Sequence, residues 1–128
     1  MADSEKLTIN VSAVDLGRID LLTEEGFYSN RTDFIRTAIR KEIDVHRDVV
    51  EQSVTRRAYA LGIITFSKKS LEQHEKKKSK LDIKVVGAVH LAKDITPELA
   101  RRTIQSLKVH GVLRASQAVK DALADRIS

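Results

Sequence analysis

Three stretches of this chain repeat one pattern: "AYALGIITFSKKSLEQ", "IKVVGAVHLAKDITPEL" and "LKVHGVLRASQAVKDAL". Their glycines are Gly62, Gly87 and Gly111, 25 and 24 residues apart. Four residues after each glycine stand Phe66, Leu91 and Ala115, then Ser67, Ala92 and Ser116, and eight after each stand Ser70, Ile95 and Val119. Fixed offsets across three units mark an internal repeat, so one supersecondary unit must recur. Each unit reads as a strand passing through the glycine and then a helix. The spacing predicts strands over 58–66, 82–91 and about 104–114, and helices over 68–79, 97–103 and 116–126. Pro97 suits a first helical position after Thr96. Stacked units would bring the glycines into line where neighbouring backbones approach closely. The edges of so small a sheet would gain from pairing with another subunit.

The first third of the chain has a different pattern. In "KLTINVS", Leu7, Ile9 and Val11 share one parity and Lys6, Thr8 and Asn10 the other, the period of a half-buried strand. Its polar side carries a cation, a hydroxyl and an amide, groups suited to base edges. Ser12 or Asp15 can cap a helix in which Leu16, Ile19 and Leu22 recur at three-residue spacing. Gly26 can close that helix in the left-handed region. A second helix opens in "SNRTDFIRTAIRKEI", with Asn30 accepting from the third amide and Asp33 reaching back to the backbone of Asn30. Phe34, Ile35, Ala38, Ile39 and Ile43 make its apolar face, which Val49, Val50 and Val54 can continue. A lone strand cannot satisfy its own backbone, and its simplest partner is the same strand of a second chain. Such an antiparallel ribbon fits a DNA major groove.

"KLTINVS", "LGRIDLLTEEGFYSNRTDFIRTAIR" and above all "SNRTDFIRTAIR" resemble the ribbon-helix-helix DNA-binding family of the Arc, MetJ and CopG type, over about residues 5–45. Together with the repeats, the resemblance implies an α+β fold, an N-terminal ribbon-helix-helix intertwined dimer followed by a small C-terminal domain of strand-helix repeats. The expected boundaries are 1–50 for DNA binding and dimerisation, 51–57 for a helical connection and 58–128 for a repeated βα oligomerisation or regulatory domain. The implied function is sequence-specific recognition of double-stranded DNA by a transcriptional regulator, a repressor, that inserts a two-stranded antiparallel ribbon in the major groove. On the family pattern Lys6, Thr8 and Asn10 read bases, while Asn30 and Arg31 hold phosphates. The partners expected are double-stranded DNA and the chain itself, as a homodimer and as a higher oligomer through 58–128. The alternatives are an antitoxin that binds its own operator and a toxin protein, and a plasmid-processing or architectural DNA-binding protein.

Composition narrows the remaining classes. The net charge is +5, but residues 1–60 hold 9 basic and 11 acidic side chains, and the surplus lies mainly in 61–80, with 6 against 2. Bulk charge therefore does not place a nucleic-acid surface on the opening motif. With no cysteine, neither a disulfide scaffold nor a thiolate metal site can form. No apolar run approaches the ~18 residues of a membrane span, and "MADSEKLTIN" is acidic and polar where a signal peptide is basic and then apolar. The expected location is cytoplasmic and nucleoid-associated. The four histidines, His46, His74, His90 and His110, form no ligand pattern, and no phosphate loop or catalytic constellation appears. No enzyme activity, cofactor or metal is expected.

Overall fold

A computed structural model describes residues 4–128 of the chain. It divides into two compact units, Met1–Glu51 and Gln52–Ser128.

In the first unit, residues 4–12 belong to no strand or helix, and Ser12 at their end has an extended backbone. Helix α1 (Ala13–Glu24) follows, and the Ser12 hydroxyl accepts from the Asp15 amide at its start. It ends at Gly26, whose φ of +89° allows the Phe27 amide to reach the Leu22 carbonyl. Helix α2 (Arg31–Val45) opens on Asn30, and α3 (Arg47–Arg56) begins one residue after α2 ends. His46 interrupts the helical backbone between them, so the long apolar face expected to run from Phe34 to Val54 is cut in two. That face is largely uncovered as well. Neither α2 nor α3 has a buried residue, Ile39 and Ile43 are exposed, and Ile19 on α1 is the one core residue of the unit among the described residues.

The second unit alternates strand and helix: β1 (Ala60–Phe66), α4 (Lys68–Lys76), β2 (Leu81–Leu91), α5 (Pro97–Thr103), β3 (Ile104–Arg114) and α6 (Gln117–Ala122). The three strands form one parallel sheet in the order β1-β2-β3. Gly62 pairs with Gly87 and Gly87 with Gly111, so the three repeat glycines form a row across the sheet. All three have φ between +128° and +138°. A Cβ on Gly87 would stand 2.1 Å from the Gly62 carbonyl oxygen, and one on Gly111 would stand 1.9 Å from that of Gly87. No side chain fits at Gly87 or Gly111, whereas at Gly62 only the positive φ favours glycine. Side chains flanking the row fall in register, Ile64 beside Val89 beside Leu113, and pack with Leu71, Leu99 and Val119 from the three helices and with Leu123 just after α6. Every helix of this unit begins at a hydroxyl cap: Ser67, Thr96 and Ser116.

The expected fold class is therefore corrected. The chain is not an N-terminal strand and two helices built into an intertwined dimer. Three helices come first, the earliest strand is Ala60–Phe66, and the sheet is parallel. An extended segment becomes a strand only when another extended segment offers it hydrogen bonds, and residues 4–12 have no such neighbour.

Candidate functional site

The first unit sorts its side chains by parity although residues 4–12 are not a strand. Leu7, Ile9 and Val11 line an apolar groove of about 850 Å³ together with Ile19, Phe34 and Ile35 but remain exposed, whereas Lys6, Thr8 and Asn10, exposed as well, do not line it. Period-two alternation is a property of extended backbone itself, so it persists without a sheet.

Asn30 and Arg31 lie together at the start of α2, and both have local partners. The Asn30 side-chain oxygen accepts from the Asp33 amide at 2.8 Å. Asp33 reaches back to the Ser29 amide at 2.9 Å, one residue earlier than the expected reciprocal bond to Asn30. The Arg31 guanidinium donates to both carboxylate oxygens of Asp20 on α1, each at 2.8 Å. This fork holds the Asp20 carboxyl below its usual range, first through the hydrogen bond and then through charge attraction, and raises the Arg31 guanidinium correspondingly. Asp20 is the residue that the sequence did not announce. It is eleven positions from Arg31, and only the fold of α1 against α2 brings them together. Tyr28 packs edge-on against Phe34, with ring centroids 5.0 Å apart, as a turn and helix contact.

The structure overturns the expected way of acting on DNA. A two-stranded antiparallel ribbon entering the major groove requires a strand at the N-terminus, but residues 4–12 form none and the chain's strands pair in parallel. The homodimer and the binding of double-stranded DNA that were expected through that ribbon fall with it, as do the Arc, MetJ and CopG type of architecture and the repressor and oligomer expectations attached to it.

Chemistry of other kinds finds no assembled residues. Among the described residues no group of three or more His, Asp or Glu could hold a metal ion. His90 pairs in register with Thr65 and Arg114, and His110 with Val86, which puts the two histidines four positions apart along neighbouring strands. The His110 ring instead lies 5.2 Å from that of Tyr59. No described helix is long and apolar enough to cross a membrane.

No curated protein and no solved structure matches the chain. A protein-family model does match, and it spans nearly the whole sequence, the repeats as well as the opening motif. With residues 2–120 of its 128 matched, this chain belongs to the Ribbon-Helix-Helix transcriptional regulator family.

Proposed function

We propose that the chain is a non-enzymatic regulator of transcription. Its N-terminal polar residues Lys6, Thr8, Asn10, Asn30 and Arg31 make the nucleic-acid contacts, and residues 58–128 form a regulatory domain. The observation that carries this reading is the family match over residues 2–120. Two features of the first unit support the choice of contacts. Lys6, Thr8 and Asn10 are exposed and stand off the groove that the alternate residues Leu7, Ile9 and Val11 line. At the start of α2 the helix amides and the positive end of the helix dipole favour an anion. Arg31 and Asp20 are both exposed, and a phosphate can replace an exposed carboxylate at a guanidinium fork with little change in geometry. Contacts of this kind need no paired ribbon. The reading implies association with the nucleoid.

The test is retention of genomic DNA fragments by the purified full chain at near-physiological salt, with sequencing of what stays bound. The expected result is enrichment of a few fragments, lost when Lys6, Thr8 and Asn10 are changed together to alanine. Uniform recovery, no recovery, or enrichment that survives the triple substitution overturns the proposed contacts.

A further inference from the structure

The second unit gathers its positive charge into one groove. This groove, about 510 Å³, is lined by Glu75, Lys78, Ser79, Lys80, Arg101, Arg102 and Arg126, so that five of seven lining residues are cations. They come from three places: the turn after α4, the last turn of α5, and the end of the chain. We propose that this groove binds a phosphate group, presented either by a small phosphorylated compound or by a nucleic-acid backbone.

Three observations carry the proposal. Two of the five cations, Arg101 and Arg126, are held in place before any ligand arrives. Arg126 donates from Nη1 to the Ile104 carbonyl at 2.7 Å and to the Arg101 carbonyl. Arg101 donates from Nη1 to the Ala122 carbonyl at 2.6 Å and to Asp125 at 2.9 Å. The loop is also fixed. Lys78 has a φ of +55°, its amide donates to the Glu75 carbonyl, that of Ser79 donates to the His74 carbonyl, and the Ser79 hydroxyl lies 3.1 Å from His74 Nδ1.

The charge is also not neutralised locally. Glu75 pairs with Arg102 at 3.4 Å and Asp125 with Arg101, and Asp125 is also attracted to Arg126, so five cations face two carboxylates, a surplus of three. The C-terminal ends of α4 and α5 add roughly half a negative charge each, so about two positive charges stay uncompensated. A dianion such as a phosphate monoester matches that surplus. Finally, the Arg102–Glu75 pair is long and exposed on both sides, so its guanidinium can exchange the carboxylate for a phosphate oxygen.

The proposal is independent of the regulator reading, and the experiment separates the two. Inorganic pyrophosphate is titrated into the full-length protein at low ionic strength and the heat of binding is recorded. The groove variant combines Lys78→Asn, which tolerates the left-handed backbone, with Lys80→Gln and Arg102→Gln; Arg101 and Arg126 are left alone because they also bond the backbone. A control variant carries Lys68→Gln and Lys69→Gln, a charge loss at the other end of α4. Binding that falls at least about tenfold in the groove variant and not in the control supports the site. Absence of binding, or equal loss in both variants, overturns it. The alanine triple variant at Lys6, Thr8 and Asn10 is expected to bind pyrophosphate like the unaltered chain, whatever becomes of its DNA retention. Competition by a short mixed-sequence duplex assigns the phosphate to a nucleic-acid backbone, and failure to compete assigns it to a small phosphorylated compound.

Discussion

Gly87 and Gly62 share a backbone conformation but not an environment, which makes them a test of what the glycine row requires. An alanine at Gly87 would meet the Gly62 carbonyl at 2.1 Å as well as a φ of +138°, whereas an alanine at Gly62 would meet nothing within 4 Å and carry only the strain of φ +131°. Backbone strain of this kind costs about 1–3 kcal/mol, and the clash at Gly87 adds to it. Gly87→Ala is expected to abolish or severely lower the thermal transition of the sheet unit, while Gly62→Ala lowers it modestly. Equal effects would mean that the close approach is not what selects glycine. A second residue-scale prediction concerns Asp20. Its folded-state pKa is held below the unfolded value, so its stabilisation is complete above the ordinary aspartate range and is lost as pH falls through the lowered folded value. Helical circular dichroism followed from pH 5 towards strong acid should show this loss, and Asp20→Asn should remove that part of the pH dependence. Asp125, lowered by its hydrogen bond to Arg101, behaves with the same sign in the second unit.

Helices as short as those of the second unit do not persist in water by propensity alone. Helix α6 has six residues, and it is kept by the Ser116 cap and by the burial of Val119 and Leu123. Ser116→Ala is expected to destabilise the unit by about 1 kcal/mol, measured by denaturant titration, while Ser116→Asn should be nearly neutral because it keeps an acceptor for the Val119 amide. In α4, Leu71 is fully buried against the sheet while its neighbours are largely exposed and polar. Leu71→Ala should cost about 2–5 kcal/mol. Helix α2 contrasts with both. Its apolar residues Ile39 and Ile43 are exposed, so alanine there should hardly change the stability of the chain.

Across the whole molecule the two units differ in what they bury. The sheet unit has a continuous core of twelve buried residues, and among the described residues the helical unit contributes Ile19 alone to the buried hydrophobics. Protection from hydrogen exchange follows burial and shielded hydrogen bonds. Amides of β2 are therefore expected to exchange far more slowly than those of α2 and α3. Leu107→Ala, at a fully buried position of β3, should raise exchange throughout the sheet and leave α1 and α2 unchanged. Exchange rising equally in both units would show that they unfold together.

Much of this was legible in the sequence because it is local or periodic. Glycines 25 and 24 residues apart located the three strands, Thr96 before Pro97 located the start of α5, and the alternation of "KLTINVS" separated the residues that line the groove from those that do not. Caps, left-handed glycines and side-chain parity depend on a few neighbouring residues, so a sequence can state them. The family likewise follows from the sequence alone. What the sequence could not decide is pairing between distant segments. It announced an N-terminal strand because alternation is common to every extended backbone, but a strand also needs a partner, and the tertiary structure gives residues 4–12 none while giving each repeat strand a parallel neighbour. The same holds for Asp20 against Arg31, and for the convergence of Lys78, Arg102 and Arg126 on one groove. Those neighbours are chosen by how the chain closes on itself, because charge and hydrogen bonds act through space and carry no record of separation along the sequence.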